Sequence, residues 1–197
     1  MLERHFHRRN LPHLYYNEGE YFITFRLKNS LPLNEIKKLK DELEKKASSL
    51  SAKEKRLFIK YDELLDSGKF GIPLLKKNEI ADIIKNIIHM FDGLYYNLIC
   101  YCIMPNHVHL VFSIFNNEKS LSDIMKLIKG NSSIMINRFL NRRGNLWQPE
   151  SFDRLIRDDK ELYQFIKYVL LNPVKAKLVD DWQNWSHTYC HPDFIVL

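Results

Sequence analysis

The sequence predicts an α+β domain: an antiparallel sheet with helices packed mainly on one face. Three observations carry this. Short runs of β-formers alternate with longer segments whose apolar residues recur every three or four positions. Two of the β-runs, on either side of Met104-Pro105-Asn106, are close enough to form an antiparallel pair. With 197 residues, 45% of them hydrophobic and 27% charged, the chain is sized and composed for one folded domain spanning 1–197.

Tyr21-Phe22-Ile23-Thr24-Phe25-Arg26-Leu27 reads as the first strand, closed by Asn29-Ser30-Leu31-Pro32. From Leu33 to about Leu65 the period turns helical among lysines and glutamates. This predicts a helical insertion at about 31–75, one or two exposed amphipathic helices whose charges form a solvated face. Ser67-Gly68 through Ile72-Pro73 is a breaker, followed by a helix with an Ile80, Ile83, Ile84, Ile87, Ile88, Phe91 stripe that stops at Asp92-Gly93. Strands Tyr95 to Ile103 and His107 to Ile114 come next. Ser120 or Ser122 caps a helix to about Leu140, and Phe152 to Arg157 alternates as another strand. The final helix opens at Asp158 with Glu161 three residues on, as in a capping box, and is expected to end at Asn172 because Pro173 follows.

The formal charge is +6 and the pI about 9.1, which suits an anionic partner without specifying one. No apolar run approaches the roughly 18 residues that span a bilayer, so no membrane association is expected. The basic N-terminus has no apolar stretch behind it, so no signal peptide is expected either. Three cysteines, Cys100, Cys102 and Cys190, argue against a disulfide framework and for a reducing, cytoplasmic setting.

The most informative stretch is Met104-Pro105-Asn106-His107-Val108-His109-Leu110-Val111. Residues i and i+2 of a strand leave the same face, so both imidazoles can converge on a cation or a phosphate oxygen. Tyr168 and Asn172, four apart on a helix, also share a side and border its apolar sector beside Phe165. Two imidazoles, a carboxamide and a phenol suggest metal-assisted attack by tyrosine on a phosphodiester. Two other readings stay open. The histidines could be satisfied core residues, or Cys100 and Cys102 could join them in a structural zinc site if Ile103 pairs with Val108.

Together, that stretch, Leu146-Trp147-Gln148-Pro149-Glu150-Ser151-Phe152-Asp153-Arg154, and Tyr168 to Val179 with its Asn172-Pro173 resemble the REP-associated tyrosine transposases, a branch of the single-tyrosine HUH transposases. Arg9-Asn10-Leu11-Pro12-His13 and the first strand also fit. The resemblance covers most of the chain outside roughly 31–75. It implies a ferredoxin-like, RRM-like sheet and a metal-dependent enzyme. Such an enzyme nicks and rejoins single-stranded DNA at hairpin-forming or palindromic sites through a covalent phosphotyrosine, with Mg or Mn. By that likeness His107, His109 and Asn172 are metal ligands and Tyr168 the nucleophile. Insertion-sequence relatives generally carry Gln where this chain has Asn172. Arg8, Arg9, Lys129, Arg142, Arg143, Arg154 and Lys175 are the expected DNA contacts, with Trp147 as a base-stacking platform. A homodimer is allowed, with the tyrosine acting in cis or in trans. The alternative on the same fold is a catalytically inactive protein that binds DNA or RNA hairpins.

Overall fold

The computed structural model describes residues 5–8, 12–15, 18–44, 50–115 and 118–195. Its centre is a five-stranded antiparallel sheet. The first two strands, β1 (His5–Arg8) and β2 (Pro12–Tyr15), form a separate hairpin. Then β3 (Gly19–Arg26), β4 (Asn97–Ile103), β5 (His107–Ile114), β6 (Phe152–Leu155) and β7 (Thr188–Cys190) assemble in the order β6-β3-β5-β4-β7. Five helices accompany them: α1 (Leu33–Glu44), α2 (Leu50–Asp66), α3 (Asn78–Met90), α4 (Leu121–Phe139) and α5 (Asp159–Lys175).

The α+β class and the antiparallel sheet are as expected, but the helical cover is divided between the two faces. On one face Tyr21, Ile23 and Phe25 of β3 and Val108, Leu110 and Phe112 of β5 pack under α3 and α4. On the other, Phe22, Cys100, Cys102 and Val111 pack under Leu162, Ile166, Val169 and Leu170 of α5, with Phe58 of α2. The reason lies in the strands. β3 and β5 are buried on both sides: one side is apolar, and the other mixes Phe22 and Val111 with the buried polar groups Thr24, Arg26, His107 and His109, which α5 and α2 cover.

Ser120 caps α4, its hydroxyl accepting from the Asp123 amide. Asp158 caps α5 by accepting from the Glu161 amide at 2.8 Å, and Glu161 reaches back to the Arg157 amide at 3.0 Å. α5 does not stop at Asn172. It runs through Pro173 to Lys175, because Asn172 and Pro173 are both buried against the sheet and less than a turn remains to lose a bond. The sequence reading anticipated neither β7 nor the β1–β2 hairpin. Among the described residues no helix is long and apolar enough to cross a membrane.

Candidate metal and tyrosine site

The register places the histidine pair under α5. β5 lies between β3 and β4 with His109 opposite both Thr24 and Cys102, and His107 opposite Arg26. Each ring is held at Nδ1. The Asn106 amide nitrogen donates to the Leu65 carbonyl at 3.2 Å, which turns its oxygen toward His107 Nδ1 at 2.6 Å. That nitrogen is therefore the donor, and Nε2 keeps its lone pair. Thr24 Oγ1 lies 2.8 Å from His109 Nδ1. The two Nε2 atoms then face each other at 2.9 Å. Both rings are fully buried. Burial pushes His107 down to about 3 and, with His107 and Lys175 nearby, holds His109 well below the usual imidazole range, so both are neutral near pH 7.

Asn172 closes the cluster from α5. Its amide is best satisfied with the oxygen toward His109 Nε2 at 3.0 Å and the nitrogen donating to Asp66 Oδ1 at 3.1 Å. Tyr168, one helical turn earlier, sets its ring edge-on to His109, with centroids 5.6 Å apart. Phe165 stacks on Phe22 at 4.5 Å and fixes the helix azimuth. Lys175 Nζ sits 4.3 Å over the Tyr168 ring. The four groups singled out from the sequence are thus brought together in space.

Two further acidic groups come from α2, within the 31–75 segment where the sequence reading expected a solvated charged face. That expectation is corrected. Asp62 of α2 is 1% exposed, with Oδ1 3.5 Å from His109 Nε2, and Asp66 Oδ1 lies 3.6 Å from His107 Nε2. α2 is held there by three anchors. Phe58 lies 5.2 Å from Phe22 and 5.5 Å from Tyr168, Tyr61 takes a hydrogen bond from Arg26, and the Leu65 carbonyl receives Asn106. Burial, reinforced by Asp66, raises Asp62 well above the usual carboxylate range, and burial pushes Asp66 up to about 7. One signal was available in the sequence: Asp62 falls inside the stripe formed by Phe58 and Leu65, where an amphipathic helix should be apolar.

The donors fit a divalent cation. Two nitrogens bound at right angles, each about 2.1 Å from an ion, lie about 3.0 Å apart, close to the separation found. One proton shared by the rings would satisfy both of them yet leave Asp62 Oδ1, buried and without a hydrogen bond, unrelieved. A cation satisfies all three. Among the described residues the acidic, imidazole and thiol groups able to share an ion are Asp62, His107 and His109, with ligand atoms within 4.8 Å of one another. Ile103 does pair with Val108, so Cys102 faces His109 across the strands. Its thiol nonetheless meets Met104 Sδ and Thr188 Oγ1, and burial pushes it up to about 12. The zinc reading therefore gains no support.

The expected DNA contacts are scattered. Arg143 is exposed, and Arg142 is half-buried with a bond to the Asn145 carbonyl at 3.4 Å. Lys129 spends its ammonium on the Gln148 and Pro149 carbonyls, at 2.7 and 2.8 Å, and on Ser151, tying α4 to that loop. Arg154 pairs with Glu161. Trp147 is a correction: it is 5% exposed, its indole donates to Ser132 Oγ at 2.9 Å and its ring packs on Phe25, so it offers no face to a base. The Arg8 side chain and Arg9 lie outside the described residues.

Residues 73–169 match the family described as Transposase IS200 like. A protein of Haemophilus influenzae assigned as a REP-associated tyrosine transposase is 27% identical over 107 residues, 50% of this chain and 61% of the relative. The REP-associated tyrosine transposase of Escherichia coli is 26% identical over 93 residues, 46% of this chain and 52% of the relative. The chain thus spans only about half to three-fifths of the curated relatives it matches. A solved REP-associated tyrosine transposase, described as bound to a REP hairpin, superposes with a TM-score of 0.57 at 18% identity. That match covers 92% of this chain and 80% of that one, and it shows a shared fold.

Proposed function

We propose that this chain, a relative of the IS200-like and REP-associated tyrosine transposases, nicks and rejoins single-stranded DNA at hairpin-forming sites. The observation that carries the reading is the convergence of His107, His109 and Asn172 on one buried point between β5 and α5, with the half-buried Tyr168 ring beside His109. The family-matched segment includes the tyrosine and the histidine pair, and the relative bound to a REP hairpin supports a hairpin as the partner.

In this reading the Tyr168 oxygen attacks a backbone phosphorus. A phosphotyrosine bond forms, and the P–O bond to one strand breaks, releasing that strand's hydroxyl. The phenol gives up its proton in the process. An ordinary phenol, with a pKa near 10, is a weak nucleophile at neutral pH, and the Lys175 ammonium lies over the ring. Rejoining is the reverse: a strand hydroxyl attacks the phosphotyrosine and restores the phenol, so the bond is conserved and no ATP is needed. His107, His109 and Asn172 would hold Mg or Mn, which when bound supplies charge stabilisation at the phosphate oxygens. Thr24 and Asn106 keep both rings turned with Nε2 inward. Arg142, Arg143 and Lys175 would meet the DNA backbone, giving salt-dependent affinity without sequence information.

A second reading, hairpin binding without cleavage, draws on one observation: His107, His109 and Asn172 are all fully buried. One experiment separates the two. Labelled hairpin-bearing single strands are incubated with the protein and Mg or Mn and resolved under denaturing conditions. The nicking reading expects a covalent adduct that Tyr168→Phe abolishes while hairpin binding persists. Tight binding with no adduct under either metal would establish the second reading.

A further inference from the structure

We infer that Asp62 is a fourth protein ligand of the metal site, supplied by α2, so that cation binding and docking of this helix are a single event. The inference rests on the metal-site reading above and extends it to a residue outside the segment matched to the family.

A buried carboxylate is ordinarily paired, hydrogen-bonded or bound to a metal. Asp62 is 1% exposed, and its Oδ1 accepts no hydrogen bond while aiming at the space between the two imidazoles. A carboxylate oxygen beside two imidazoles and an amide oxygen is a mixed, hard-leaning donor set suited to Mn or Mg. The rest of α2 is built to deliver it. Phe58 sits in the aromatic cluster of Phe22, Phe152 and Tyr168. Asn106 joins the Leu65 carbonyl to His107, so one side chain grips both the helix and a ligand ring. A cation bound by β5, α5 and α2 together stabilises the docked helix by mass action.

The test uses the full chain and Mn. Binding is measured by calorimetry and by loss of the free-ion EPR signal. Thermal unfolding and hydrogen exchange over residues 58–66 are followed with and without the ion. Wild type is expected to gain exchange protection in α2 on adding Mn. Asp62→Asn keeps the shape and removes the ligand charge. It should weaken Mn binding by about 10–100-fold, the range seen when groups supporting a metal site are altered. It should also abolish the Mn-induced protection and leave the metal-free Tm unchanged or higher. Asp62→Ala should weaken binding at least as much. His107→Ala and His109→Ala are the reference variants. If they lose Mn binding while Asp62→Asn retains wild-type affinity, the inference falls and the metal-site reading survives. If all variants bind Mn like wild type, that reading falls and takes the inference with it. A lower metal-free Tm in Asp62→Asn with unaltered Mn affinity would assign Asp62 a purely structural role and overturn the inference.

Discussion

Thr24→Val probes the orientation of His109 without touching a ligand atom. Thr24 is 2% exposed on β3, opposite His109 in the register, and its Oγ1 lies 2.8 Å from Nδ1 of a fully buried ring. Valine nearly reproduces the volume but strands that nitrogen with no partner. An unsatisfied buried polar group costs about 1–3 kcal/mol. In a domain of this size each kcal/mol lowers Tm by about 2–4 °C, so a fall of about 2–12 °C is expected. The ring then loses the contact that turns Nε2 inward. Removing the group that orients a ligating ring weakens metal binding by about 10–100-fold, equivalent to about 1.4–2.8 kcal/mol. Differential scanning calorimetry reads the first effect and Mn titration calorimetry the second, with adduct formation on a hairpin strand as a third. A lowered Tm with Mn affinity within about twofold of wild type would refute the argument, since the hydroxyl would then support the fold without orienting a ligand.

Two other substitutions follow from the charges around the site. Burial raises Asp66 from an ordinary 3.8 to about 7, so between those pH values the folded chain holds a proton that the unfolded chain has released. That contribution favours folding at low pH and is lost as pH rises toward about 7. His107, lowered from 6.5 to about 3, acts in the opposite sense, favouring folding above about 6.5 and failing as pH falls toward about 3. Asp66→Asn removes the first contribution, so metal-free Tm should climb more steeply between about pH 4 and 7 than in wild type; parallel curves would contradict the burial argument. Lys175→Met removes the ammonium 4.3 Å above the Tyr168 ring. Adduct formation on a hairpin strand near neutral pH should slow, while Tm stays close to wild type; an unchanged rate would mean that the amine does not assist the phenol.

Local pattern made much of this protein legible. The strand runs at Tyr21–Leu27 and His107–Ile114, the stripe of α3 and the Asp158 cap all appear in the structure where periodicity and capping chemistry place them. The His107–His109 pair and the Tyr168–Asn172 pair were equally readable, because strand and helix periods alone put each pair on one side of its element. The cover on the second face was not legible, because that side of β3 and β5 mixes Phe22 and Val111 with Thr24, Arg26, His107 and His109, a pattern that reads as half-solvated. Pro173 misplaced the end of α5, since a local rule about the preceding residue yields to burial of that turn.

What the sequence determined by itself is therefore most of the elements, β7 and the β1–β2 hairpin excepted, and four residues that the fold brings together. What only the tertiary structure decided is which elements meet. Asp62 and Asp66 read as ordinary acids on a charged helix until Phe58, Tyr61 and Leu65 dock that helix over β3 and β5. Trp147 and Lys129 read as nucleic-acid contacts until Ser132, Phe25 and the loop at 148–151 claim them. The reason is physical: the period of an element is set by backbone geometry between near neighbours. The partner of a side chain, by contrast, is set by packing between segments far apart in the chain, as Phe22 and Phe165 are, which no local pattern encodes.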